Sequence, residues 1–290
     1  MGNYIMQSIK PFLLFFFLLS YLFASAKTPD GGQKKLTPDM PEHLTAFIAQ
    51  SDSPTPVVLV CPGGSYSWLD WETEGVGVAR WLQSEGITAF VLKYSVQGIP
   101  SFVTHYRLLA RGRQYPDALN DALSALRYIR SHAEELNIDP DKVGMMGFSA
   151  GGHLTAQVAE KATDADVRLN FAVPVYPVVT MMQEPYVHKR SRRALLGEWR
   201  KHDKRWREEM SLEKHTHSDM PPIFLVNCID DPTVHYHNSE LLDSALTASR
   251  VPHEYHQYKT GGHGFGADTL KAGKEAIQWK AAFINWMKQL

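Results

Sequence analysis

The sequence predicts an α/β protein with a mostly parallel sheet covered by helices on both faces. Three observations carry that expectation. Short, continuous apolar runs alternate along the chain with segments of helical period. A serine sits between glycines, Gly147-Phe148-Ser149-Ala150-Gly151, where one apolar run hands over to a helical segment. A proline–glycine loop, Pro62-Gly63-Gly64-Ser65-Tyr66, follows the first strong run.

Strands are predicted at Val57–Cys61, Ile87–Tyr94, Lys142–Met146, Asn170–Val175, Ile223–Cys228 and His253–Tyr258, with a weaker candidate at Leu44–Ala49. Helices are predicted at Glu74–Ser84, Tyr115–Ala133, Gly152–Lys161, His235–Ser249 and Leu270–Met287. In the second of these, Leu119, Ala122, Leu123, Leu126 and Ile129 recur on one face. Fully apolar strands separated by helices place any ligand at the carboxyl ends of the strands. The alternation breaks at Val187–Pro222, where charge is dense (HKRSRRALLGEWRKHDKRWREEM). That stretch reads as a helical, cap-like insertion over about 187–220 with a mainly structural role.

The first 26 residues stand apart. Lys10 precedes an apolar run from Pro11 to Phe23, and Ala24-Ser25-Ala26 follows. A basic start, a short apolar core and small residues three apart describe an export signal cleaved near Ala26. The run is short for a bilayer span, which needs about 20 residues. The expected mature chain, 27–290, is one domain, exported to the periplasm or the exterior and without stable membrane insertion. A net charge of −1 supplies no field for nucleic acid, and 44% apolar residues exclude global disorder. Cys61 and Cys228 each end an apolar run and are expected to be buried free thiols.

Gly-x-Ser-x-Gly is a weak signal alone, but here a strand runs directly into it and a helix leaves it. Such an elbow lifts the serine hydroxyl above the sheet edge and sets the Ala150 N–H beside it. Ser149 is the expected nucleophile. Acyl transfer also needs backbone N–H groups aimed at the developing oxyanion. The loop after the first core strand is the place for them, with Gly64 and Ser65 as donors alongside Ala150. Lipases carry His where Pro62 stands and a third Gly where Ser65 stands.

The base is sought among thirteen histidines. His263, in Gly261-Gly262-His263-Gly264, follows the last strand and precedes the last helix, and its glycines let a loop bring it over the serine. His153 lies on the serine's own helix and reads as a packing or hydrogen-bonding residue. The His-x-His pairs His215/His217 and His235/His237 lack a third ligand at a recognisable spacing, so no metal or other cofactor is expected. The acid follows the preceding strand in "NCIDDPTV". Strand-end loops of this type read H-G-x-x-D-x-x-V with a later Ser. Asn227, Cys228, Val234 and Ser239 put Asp231 in register as the acid and leave Asp230 as a loop cap. The chain order Ser149, Asp231, His263 is that of the α/β-hydrolase fold. Through that triad an acyl-enzyme would form and be hydrolysed.

The run of motifs CPGGSY, Glu74-Gly75, YPDALNDALSALRYIR, IDPDKVGMMGFSAGGHL, Leu195–Gly197, PPIFLVNCIDDPTV and GGHGFG resembles the exported bacterial α/β-hydrolases related to acetylxylan esterases. The resemblance covers nearly all of 27–290. It implies a serine esterase that removes acetyl or other small acyl groups from plant-polysaccharide sugars such as xylan. Its partner would be an acylated carbohydrate or other small ester. The chain departs from the family at Ser65, Ser95 and Asn227, where Gly, Arg and His are usual, and the triad is untouched. Tyr66 and Trp68, after the oxyanion loop, are candidate sugar-stacking rings, with core packing as the competing role. Two alternatives stay open: a general carboxylesterase, and a peptidase like the prolyl oligopeptidases. Segment 27–56 has no room for the propeller such peptidases carry.

Overall fold

Parallel pairing of the apolar runs organises the computed structural model, which describes residues 36–98 and 112–290. The expected signal segment, 1–26, lies outside the described residues. Within the unit Asp39–Leu290, seven strands form one sheet: β1 Leu44–Phe47, β2 Thr55–Cys61, β3 Thr88–Leu92, β4 Ile138–Phe148, β5 Phe171–Val175, β6 Ile223–Cys228 and β7 His253–Tyr258. Their order is β1-β3-β2-β4-β5-β6-β7. Only the β1–β3 pair is antiparallel.

The strands are apolar on both sides because both faces are covered. Val57, Leu59 and Cys61 of β2 pack into one cluster, and Val58 and Val60 into the other. Helices α2 Asp117–Ser131, α3 Ala150–Lys161 and α6 His237–Ala248 cover the first face. Helix α1 Gly77–Ser84, entered through a wide turn at Trp71–Val76, covers the second with α7 Thr269–Ala276 and α8 Trp279–Met287. Trp279 and Phe283 on α8 are fully buried, each contributing about 1.5–3 kcal/mol of apolar burial. The half-buried edge strand β7 carries His253, Glu254 and His256, polar groups that discourage edge-to-edge pairing.

Helix Leu270–Met287, expected as one, is two. Gly273 has φ +67° inside α7, and the axis turns there. The charged stretch between β5 and β6 forms α4 Lys189–Arg200 and α5 Lys204–Glu209. Several of its charges are in ion pairs: Arg192 with Glu184, Arg193 and Lys201 with Glu198, and Lys161 of α3 with Glu209. Cys61 and Cys228 are buried, free thiols, held apart by β4 and β5 in the sheet order. Among the described residues, no helix is long and apolar enough to cross a membrane.

Candidate active site

β2, β4, β6 and β7 run parallel, so the loops that follow them meet at one edge of the sheet. Ser149 is the hinge between β4 and α3. Its backbone holds φ 55° and ψ −113°, a conformation that non-glycine residues rarely adopt and that the surroundings must enforce. They do so through three backbone hydrogen bonds. Ser149 N–H donates to the Val175 carbonyl at 3.0 Å, and its own carbonyl accepts from His153 and Val178 N–H at 3.0 and 3.2 Å. A Cβ on Gly151 would strike the carbonyl oxygens of Cys61 and Pro62, so only glycine lets α3 start this close to the end of β2. Ser149 is nearly buried, at 4% exposure. Its Oγ makes no hydrogen bond among the described residues.

Asp231 and His263 are brought together from separate loops. His263 Nδ1–H donates to Asp231 Oδ2 at 2.6 Å. A carboxylate only accepts, so this contact puts the imidazole proton on Nδ1 and leaves a lone pair on Nε2. The other carboxylate oxygen, Oδ1, accepts from Thr233 and Val234 N–H at 2.7 and 2.9 Å. Asp230 does something else. It accepts from the N–H groups of Gly261 and Gly262, pinning the loop that carries His263. Asn227, in the place where His is usual, accepts from Tyr255 Oη–H and donates to the Tyr236 carbonyl. The histidine ring lies 4.6 Å from that of Tyr176.

The loop after β2 is wound through three consecutive residues of positive φ: Gly64 (131°), Ser65 (57°) and Tyr66 (58°). Its bonds run from Ser67 and Trp68 N–H to the Gly64 carbonyl, and from Asp70 N–H to the Gly63 carbonyl. No hydrogen bond among the described residues uses the N–H of Gly64, Ser65 or Ala150. Those donors are uncommitted, as an oxyanion site requires.

The structure corrects the expectation for Tyr66. Its ring is a core residue at 2% exposure, edge-on to Tyr94 and His153, with no open face for a sugar. Its hydroxyl donates to His153 Nδ1 at 2.8 Å, while His153 Nε2–H donates to the Met210 carbonyl at 3.0 Å. Burial pushes His153 down to about 4, which suits this neutral, structural bridge. Trp68 is half-buried, with the Arg190 guanidinium 5.6 Å over its ring. His215 and His217 bond the backbone carbonyls of Glu208 and Glu160.

Three groups at this edge had no role assigned from sequence. His188 caps α4, its Nδ1 accepting from the Ser191 hydroxyl and N–H. Burial, then the proximity of His263 and Arg190, pushes it down to about 4. Glu74 is buried at 2% exposure. Its Oε2 accepts from Gly63 N–H at 2.7 Å and its Oε1 from Tyr176 Oη–H at 2.8 Å. Burial raises it to about 7, against the lowering influence of His263 and the Tyr176 bond. Tyr176 in turn accepts from Gly266 N–H at 3.0 Å. The sequence signal for Glu74 was the Glu74-Gly75 motif; Tyr176 carried none.

Comparison with known proteins bears on this arrangement. The sequence profile of the BD-FAE family matches residues 47–246. The chain belongs to the BD-FAE family. An acetylxylan esterase of Xylanibacter ruminicola is 31% identical over 94% of this BD-FAE chain and 53% of its own length. Endo-1,4-beta-xylanase B of Butyrivibrio fibrisolvens is 32% identical over 77% of the chain and 34% of its own length. The chain thus spans about half the length of the first of these curated relatives and a third of the second. Among solved structures, the acetyl ester-xyloside bifunctional hydrolase of Caldicellulosiruptor lactoaceticus superposes with a TM-score of 0.72. It is 33% identical, over 91% of this chain and 93% of that one. An α/β hydrolase from a deep-sea metagenome, 24% identical, superposes with a TM-score of 0.63. The fold of this BD-FAE chain is the α/β-hydrolase fold.

Proposed function

We propose that the chain is a serine esterase that removes acetyl or other small acyl groups from sugars of plant polysaccharides such as xylan. The observation that carries this reading is the 2.6 Å bond from His263 to the Asp231 side chain, at the sheet edge where Ser149 is held in its strained elbow. In the reaction, His263 Nε2 takes the Ser149 proton as Oγ attacks the ester carbonyl carbon. The Ser149–His263 contact this transfer needs forms as the ester seats, since catalytic hydrogen bonds commonly tighten only in the substrate complex. The N–H groups of Gly64, Ser65 and Ala150 hold the oxyanion, each worth about 3–4 kcal/mol in the transition state. The tetrahedral intermediate collapses, the sugar hydroxyl leaves with the proton from His263, and water repeats the sequence on the acyl-enzyme. Asp231 keeps the imidazole in the tautomer that can accept the proton and stabilises its charge.

The sugar-ester substrate is supported by the names of the relatives: an acetylxylan esterase, a xylanase and an acetyl ester-xyloside hydrolase. The basic, apolar and small-residue order of 1–26 supports export with cleavage near Ala26. The test is one assay across acetylated xylan, acetylated monosaccharides, feruloyl esters and aminoacyl-proline amides. Acetate release from the first two is expected to be fastest. Turnover of the amides alone would replace the esterase by the peptidase alternative. Equal turnover of simple aryl esters and acetylated sugars would leave a general carboxylesterase.

A further inference from the structure

Glu74 occupies a position that the esterase mechanism does not use. It belongs to the wide turn ahead of α1, yet it touches the oxyanion loop and, through Tyr176, the loop that carries His263. Gly63 N–H, in the oxyanion loop, donates to Oε2 at 2.7 Å, and Tyr176 Oη–H donates to Oε1 at 2.8 Å. Tyr176 follows β5 directly, and its hydroxyl accepts from Gly266 N–H in the loop that carries His263. The packing leaves no slack. A Cβ on Gly63 would lie 2.5 Å from Glu74 Oε2 and 3.0 Å from Ser149 Cβ, and one on Gly266 would strike the Thr73 carbonyl. Lys271, on α7, donates to Thr73 Oγ1 at 2.6 Å and closes the same seam from outside.

From this geometry we infer that Glu74 is a positioning residue for catalysis. Its carboxylate sets the oxyanion loop through Gly63, sets the histidine loop through Tyr176 and Gly266, and supplies a second negative charge beside the imidazolium that forms on His263. The inference rests on the esterase reading above.

The chemistry suits the task. Both contacts to Glu74 are donors, so the ionised carboxylate satisfies them without reorganising. A buried negative charge near His263 favours the protonated imidazole, the form present when the tetrahedral intermediate exists. The groups facing Glu74 are Tyr176 after β5, Tyr94 after β3, Asp70 in its own segment and His263. Of these only His263 gains positive charge during the reaction. Glu74 ionises near pH 7 because burial outweighs its hydrogen bonds and His263, so its charge switches on across the same range in which a histidine base works.

The experiment compares wild-type, Ser149→Ala, Glu74→Gln and Tyr176→Phe proteins on p-nitrophenyl acetate, with kcat and KM as functions of pH and a melting curve for each. Glutamine keeps the shape of Glu74 and removes its charge. Glu74→Gln is expected to lower kcat about ten- to a hundredfold with little change in KM, in a protein that melts like wild type. Without the negative charge the neutral imidazole is favoured, so the acidic limb of kcat/KM should move to lower pH. Tyr176→Phe removes the hydroxyl's bonds to both Glu74 and Gly266 but leaves the Glu74 charge and its bond to Gly63, and should lower kcat in the same direction by less. A kcat within twofold of wild type and an unmoved acidic limb in Glu74→Gln would overturn the inference. Should Glu74→Gln fail to fold, Tyr176→Phe decides alone: reduced kcat at constant KM supports the inference, and unchanged kcat overturns it. Turnover absent from the wild type, or surviving Ser149→Ala, would instead overturn the esterase reading and this inference with it.

Discussion

Ser149→Ala is expected to lower ester turnover by about 10⁴- to 10⁶-fold, as loss of a triad nucleophile does in serine hydrolases. The magnitude follows from the chemistry. Without Oγ no acyl-enzyme can form, and what remains is water attack on an ester held by the Gly64, Ser65 and Ala150 N–H groups. The structure makes the variant a clean one. Ser149 Oγ makes no hydrogen bond among the described residues, and alanine meets the same φ of 55° with a side chain no larger than serine's. The melting temperature should therefore stay close to that of wild type while activity collapses. KM, which reflects the rest of the site, should change far less than kcat. Steady-state hydrolysis of p-nitrophenyl acetate beside a melting curve checks both.

The second large effect separates two adjacent carboxylates. Asp231→Asn should cost about 10⁴-fold in kcat at neutral pH, while Asp230→Asn should stay within about threefold of wild type. The reason lies in the hydrogen bonds that Asp231 already makes. Oδ1 accepts from Thr233 and Val234 N–H, so an asparagine must keep its carbonyl oxygen there. Its NH₂ group then faces His263 Nδ1, which can no longer donate and must accept. The imidazole proton is forced onto Nε2, where the lone pair for the serine proton is needed. Asp230, exposed, accepts only from Gly261 and Gly262 N–H, and an asparagine oxygen can still accept there. Equal losses in the two variants would contradict the division of roles.

The parts of the site that could be read from sequence are those that depend on local order along the chain. Each catalytic candidate follows directly on a strand, and strands of a parallel sheet end at one edge, so Ser149, Asp231, His263 and the Gly64–Ser65 loop converge without further information. Register within NCIDDPTV picked Asp231 over Asp230, and it is Asp231 that bonds His263. What escaped was tertiary. Tyr66 looked like a ring next to the site; its burial depends on His153, a partner far along the chain that takes its hydroxyl. Glu74 and Tyr176 are 102 residues apart, and no periodicity links a carboxylate before one helix to a phenol after β5. The kink inside α7 was hidden because a glycine can sit within a helical pattern, and only the positive φ of Gly273 turns the axis there.

The central claim is that Ser149 is the nucleophile. It is tested most directly by treating the protein with a fluorophosphonate and mapping the adduct by intact-mass and peptide mass spectrometry. One phosphonyl group per chain is predicted, on the peptide that contains Ser149, with none on the Ser149→Ala protein. An adduct on another residue, or unchanged labelling of Ser149→Ala, would contradict the account.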